Sequence, residues 1–166
     1  MNISLVFPPQ FDPSVPHLAL PCLTAVLRRA GHRVTQRDVN LELYDAILNG
    51  EVIQRSIASI NDNHDAILER GCPPQVLDAA LMTGPVVAQL VESAKTTLRA
   101  SQHFYNYERY SGSLKLIDQA MLLFSLPYYP TRLSLYGFVM EKPPYSTSYI
   151  TMATQDGFHN PFIELY

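Results

Sequence analysis

Residues 2–40 read NISLVFPPQFDPSVPHLALPCLTAVLRRAGHRVTQRDVN, and the order of patterns within them decides the fold. Residues 2–7 (NISLVF) form a short, nearly continuous apolar run, the mark of a strand buried on both faces. Pro8 and Pro9 end it, because proline cannot donate to a strand ladder. A proline-rich loop follows, from Gln10 through Pro13 and Ser14 to Pro16. Leu20, Leu23, Leu27 and Ala30 then recur at helical spacing, with Thr24, Arg28 and Arg29 on the other side. Gly31 stands where a helix C-terminal cap belongs. Residues 33–39 (RVTQRDV) read as a second strand. Strand, loop, helix, glycine, strand is one βαβ unit, expected to have parallel strands and a right-handed crossover.

Beyond Asn40 the pattern changes to helices without a convincing strand, as far as Phe124. Ile53, Ile57, Ile60 and Ile67 share one face. Val87, Leu90, Val91, Ala94 and Leu98 form a second stripe, and Leu114, Ile117, Met121 and Phe124 a third; helical packing accounts for all three. Pro74 and Pro85 suit first turns of helices. From Leu126 the chain is rich in proline and tyrosine and reads as extended or turn segments. Ser146 suits the cap of a short helix through Gln155, and Asn160–Pro161 another helix start. The expected fold class is α/β: a partial Rossmann-like βαβ unit with a large helical insertion, mostly helical overall. The expected organisation is a βαβ start over 1–40 and a helical insertion with a Pro/Tyr-rich segment over 41–166, in one compact unit. A doubly wound sheet needs about five strands and two are legible, so the helical region must shield them or the chain is a piece of something longer.

The bulk numbers fit a globular domain. Of 166 residues, 47% are hydrophobic and 16% charged, with a formal net charge of −3 at pH 7. An acidic balance with scattered Lys and Arg argues against a nucleic-acid partner. Cys22 and Cys72 have no metal-ligand spacing and make no disulfide framework, which points to a reducing cytoplasm. The N-terminus lacks the pattern of a signal peptide, and no stretch approaches the roughly 18 apolar residues of a membrane span.

In open α/β sheets ligands bind beyond the carboxyl ends of the strands, near the first crossover. Here that place is the loop from Pro8 to Pro16 and the start of the helix near Leu18. Backbone N–H groups and the positive helix end would favour an anionic or carbonyl-rich ligand. A pyrophosphate needs glycines to approach the backbone, and this loop has prolines, which make a stiff apolar rim for a broad flat ligand. His17, at the helix start, reads more readily as a solvent-exposed residue of the capping region than as a metal ligand or polar contact. Asp38 ends the second strand, where an acid holds a ribose in dinucleotide folds or forms a strand-end turn. His64 falls at helical spacing with Ile60 and Ile67, as a satisfied core or interface residue does. Asp62, Asp65 and Glu69 read as a solvated face, and Tyr105, Tyr107, Tyr110, Tyr128 and Tyr129 as core or interface aromatics.

These residues also carry a resemblance. The stretch from Leu5 to Asn40 is similar to the opening of cobalamin-binding domains attached to radical SAM enzymes, a group that includes anaerobic Mg-protoporphyrin ester cyclases and various methyltransferases. The matching positions are Pro8–Pro9, Pro13–Ser14, Pro16, Leu18, Leu20, Leu23, Leu27, Ala30–Gly31–His32 and Asp38; the helical insertion and residues 127–133 (PYYPTRL) resemble one branch of the family. The resemblance implies a corrinoid lying over the carboxyl edge of the sheet, with Pro8, Pro9, Pro13, Ser14, Pro16, His17, Leu18 and Asp38 as the cofactor-binding residues. The Asp-x-His-x-x-Gly motif is absent, since Asp12 and His17 have the wrong spacing, so cobalamin is expected without a histidine ligand. Ala19 stands where the family often has glycine. The iron–sulfur cluster and S-adenosylmethionine would belong to a missing remainder, and this chain is expected to be a truncated N-terminal piece without catalysis of its own. Two other readings stand beside this one. Residues 30–35 (AGHRVT) also resemble the first βαβ unit of two-domain glycosyltransferases, and the helical middle suits a protein-interaction module. A homodimer through the exposed edge strand or the apolar helices is a further expectation.

Overall fold

The structure, a computed structural model, describes residues 1–8, 12, 13, 17–135 and 137–140, with backbone alone at 104 and 137–140. The described chain is mostly helical and carries a small parallel sheet of two strands. It divides into two compact units: residues 1–46 with Leu135 and Gly137, and residues 47–134 with 138–140.

In the first unit, β1 (Asn2–Phe7) pairs in parallel with β2 (Arg33–Asp38), from Asn2 opposite Arg33 to Phe7 opposite Asp38. Helix α1 (Ala19–Arg29) connects them. Gly31, at φ +83°, turns the chain out of α1, a conformation that favours glycine. The sheet is not covered on both sides, contrary to the expectation for β1. Ile3, Leu5 and Phe7 are half-buried, whereas Asn2, Ser4 and Val6 are exposed, Val6 by 57%. The exposed set lies opposite Arg33, Thr35 and Arg37, which are also exposed. A face so polar is stable against water and needs no second layer.

Helix α1 corrects a second expectation. Leu20 and Thr24 are its buried residues, while Leu23 and Val26 are 52% and 66% exposed. Thr24 turns inward because its hydroxyl has a partner: the Gln36 amide donates to Thr24 Oγ1 and to the Leu20 carbonyl. Arg28 donates to the Val34 carbonyl at 3.2 Å. Polar links thus set the roll of the helix over β2 and leave part of its apolar flank uncovered. Helix α2 (Val39–Ile47) follows β2 directly, with Val39, Asn40, Leu43, Tyr44 and Ile47 buried.

The second unit contains α3 (Gly50–Asp62), α4 (His64–Glu69), α5 (Pro74–Arg99), α6 (Ser101–Phe104) and α7 (Tyr107–Ser125). A 3₁₀ turn (Leu126–Tyr128) leads to β3 (Thr131–Ser134), which neighbours β4 (Gly137–Met140) in a second two-stranded sheet. The Pro/Tyr-rich segment therefore includes strands that its composition hides. Side-chain oxygens of Asn49 and Asn106 cap α3 and α7 by accepting from Val52 N and Arg109 N. Ile53, Ile60, Ile67, Val91, Ile117, Met121 and Phe124 are buried, as their spacing predicts; Leu90 is exposed. Pro74 does occupy a first turn, but Pro85 lies inside α5. Its ring is exposed, and the cost is one backbone bond to the Leu81 carbonyl. Beside it, a Cβ on Gly84 would come within 2.8 Å of Ile57 Cδ1, so α3 and α5 approach closely there. The tyrosines divide: Tyr129 is buried, Tyr110 and Tyr128 half-buried, and Tyr105 and Tyr107 exposed, against the core or interface expectation for those two. Asp62, Asp65 and Glu69 are exposed, and His64 is half-buried beside the Asp65 carboxylate. The helices expected after Ser146 and Asn160 lie outside the described residues. None of the described helices is long and apolar enough to cross a membrane.

Candidate functional site

The parallel register ends both strands level, with Phe7 beside Asp38. Side chains two residues apart on a strand share a face. Gln36 reaches α1, so Asp38 points to the same side, and there it meets His17. His17 Nε2 lies 3.0 Å from Asp38 Oδ2, and the imidazole stacks on the Phe7 ring at a centroid distance of 3.5 Å and an interplanar angle of 12°. The side chains of His17 and Asp38 are 16% and 26% exposed. His17 is thus no solvated capping residue. The stack removes apolar ring area from water, and the carboxylate fixes the ring's orientation by accepting from Nε2–H.

Asp38 uses its two oxygens differently. Oδ2 holds His17, and Oδ1 accepts from Leu41 N at 3.0 Å, capping the first turn of α2. The strand-end role and the polar-contact role considered for Asp38 are therefore both filled. A ribose would have to compete with His17 for the same carboxylate. The neighbouring Arg37 is committed elsewhere: its guanidinium forks onto Glu42 at 2.7–3.0 Å. Those hydrogen bonds hold the Glu42 carboxyl below its ordinary range.

Tyr44, on the buried side of α2, is a feature that sequence spacing alone did not single out. Burial pushes its phenol up to about 12, and the negative charge of Asp12 adds to the effect. The signal was present in the sequence: Asn40, Leu43, Tyr44 and Ile47 follow the second strand at helical spacing and are all buried. Phe7 was read only as part of a strand, although its place opposite Asp38 makes it the floor for His17.

Of the remaining proposed cofactor contacts, Pro8 and Leu18 are exposed and Pro13 is half-buried. Pro9, Ser14 and Pro16 lie outside the described residues. The start of α1 is a weaker anion site than expected. Leu18 provides no side-chain cap, and Pro21 removes one of the first-turn donors. Exposed Pro8 and Leu18 beside the carboxylate of Asp38 suit a broad, uncharged or cationic ligand better than a phosphate. His17 Nε2 is already engaged, so ligation of a metal through that atom would first break the bond to Asp38. A corrinoid held by its faces and edges, without a histidine ligand, is compatible with this arrangement. Among the described residues, no group of three or more His, Cys, Asp or Glu is placed to hold a metal ion. No family model, curated protein or solved structure matches the chain.

Proposed function

We propose that the first unit is a Rossmann-like βαβ element that contributes part of a corrinoid-binding surface in a cobalamin-dependent radical SAM enzyme. The observation that carries this reading is the Phe7–His17–Asp38 cluster, which rigidifies the carboxyl edge of a parallel strand pair where α/β folds place their ligands. Exposed Pro8 and Leu18 offer apolar contact to a flat macrocycle, and the engaged imidazole supports binding without a histidine ligand. The corrinoid, when bound, supplies organometallic group transfer; the chain's own residues only seat and orient it. A radical SAM cluster takes three cysteines, and this sequence has two, so the chain performs no radical chemistry alone.

Hydroxocobalamin tests the reading directly. The chain is expected to retain corrinoid through a desalting column and to change its visible spectrum without the signature of imidazole ligation. Asp38→Ala, which frees His17 and the α2 cap together, is expected to weaken retention about tenfold or more. Passage of the corrinoid in the free volume, or retention indifferent to Asp38→Ala, would sink the proposal.

A further inference from the structure

The first unit leaves a second surface uncovered, away from the cluster just described. Among the described residues, β1 pairs with β2 alone, so its outer edge presents backbone N–H and C=O groups. Exposed edges are usually protected by charge, proline or a bulge. Residues 2–7 have none of these. The bonds from Gln36 and Arg28 hold the Thr24 and Arg28 side of α1 over β2. The opposite flank, with Leu23 and Val26, therefore faces the β1 side and is exposed together with Ala19 and Cys22. Below it, Ile3, Leu5 and Phe7 are only half-buried. An unpaired strand and an apolar helix flank thus border one open notch.

We infer that this notch is a dimer interface, in which β1 pairs antiparallel with β1 of a second copy about a two-fold axis at Leu5. The hydrogen-bonding edge selects an extended strand as its occupant, which a flat apolar patch would not do. The symmetry then fits the side chains. With Leu5 on the axis, Ile3 lies opposite the partner's Phe7 and Ser4 opposite the partner's Val6, so the half-buried residues of both copies stay on one side. Both α1 helices lie on that side, with their Leu23 and Val26 flanks turned toward each other. Charge selects a second copy. Across a two-fold axis a charged residue lies near its own like, and neither the strand nor this flank carries a charge. Arg28 and Arg29 stand at the far end of α1, and antiparallel helices keep those ends apart. The result is a four-stranded sheet, which resolves the marginal stability of two parallel strands.

The test is the mass of the intact chain by light scattering, from micromolar to submillimolar concentration. The expected result is twice the chain mass of 18.7 kDa, falling toward the single mass on dilution. The exposed pair Leu23→Glu/Val26→Glu, and separately Ser4→Lys, should each yield monomer with unchanged helical circular dichroism. Met82→Ser/Val86→Ser, which alters an exposed apolar stripe on α5, should leave the dimer intact. A monomer at every concentration overturns the inference. So does a dimer that survives the α1 and β1 variants, or one that dissolves with the α5 variant.

Discussion

The two units are held together by different physics. In the second, large side chains are excluded from water almost completely: Ile53, Ile60, Ile67, Leu77, Val91, Met121 and Leu133 all lie in its core. In the first, the sheet is half-exposed and its helix is positioned by Gln36, Arg28 and the Asp38–His17 pair. Packing makes a rigid body that tolerates little change of volume. A few polar links make a lighter structure whose edges stay accessible, and binding surfaces are drawn from such regions. The difference teaches where to look for function: at the unit that left its strand ends and helix flank open.

The comparison is most exposed to a cavity in the helical unit. Ile60→Ala should cost about 2–5 kcal/mol, because a fully buried branched side chain leaves a void that close packing cannot fill. Urea melts followed by circular dichroism check this. A loss below about 1 kcal/mol would mean that the unit is loosely packed and the contrast is false.

A smaller effect sharpens the picture of the first unit. The Tyr44 phenol keeps its proton up to about pH 12 in the folded chain, against about 10 in the unfolded one. The sign follows from linkage. Stability is full below pH 10, falls as the unfolded state ionises, and levels off above about 12. The total loss is on the order of 2–3 kcal/mol. Tyr44→Phe should remove this step from stability measured against pH, and a step that persists in the variant would assign it to another group.

The smallest effect belongs to the surface. The Glu42 carboxyl is held low by Arg37, so the pair contributes above the ordinary carboxylate range and loses its contribution as pH falls through the lowered value. Both partners are exposed, and solvent and salt screen them. Glu42→Gln should therefore shift the melting temperature by little, and less still at high salt. A large shift would show that polar links matter even more in this unit than the contrast states.

Much of this organisation was legible in the sequence, for reasons that also explain the failures. Strand runs and helical stripes are local, and so the βαβ order, the Gly31 cap and the buried isoleucines of α3 and α4 could be read directly. Thr24 and Leu23 were exchanged because the roll of α1 depends on Gln36, twelve residues beyond Thr24. Pro85 was assigned to a helix start because local rules give proline that meaning; tertiary packing around Gly84 and Ile57 carries the helix through it instead. At the site, His17 and Asp38 were each noticed separately. Their pairing, and the floor made by Phe7, follow from strand register, which no local pattern encodes.

That register has a consequence for assembly. His17 touches one strand through the face of its ring and the other through its edge, so it meets both only when the strands are aligned as observed. A slip of one residue would turn Phe7 to the opposite side of the sheet and leave the imidazole with nothing beneath it. The same carboxylate starts the next helix, so misaligned strands would also delay its winding. The histidine thus acts as a proofreader of strand alignment, and the edge is finished only in a chain that has already paired correctly.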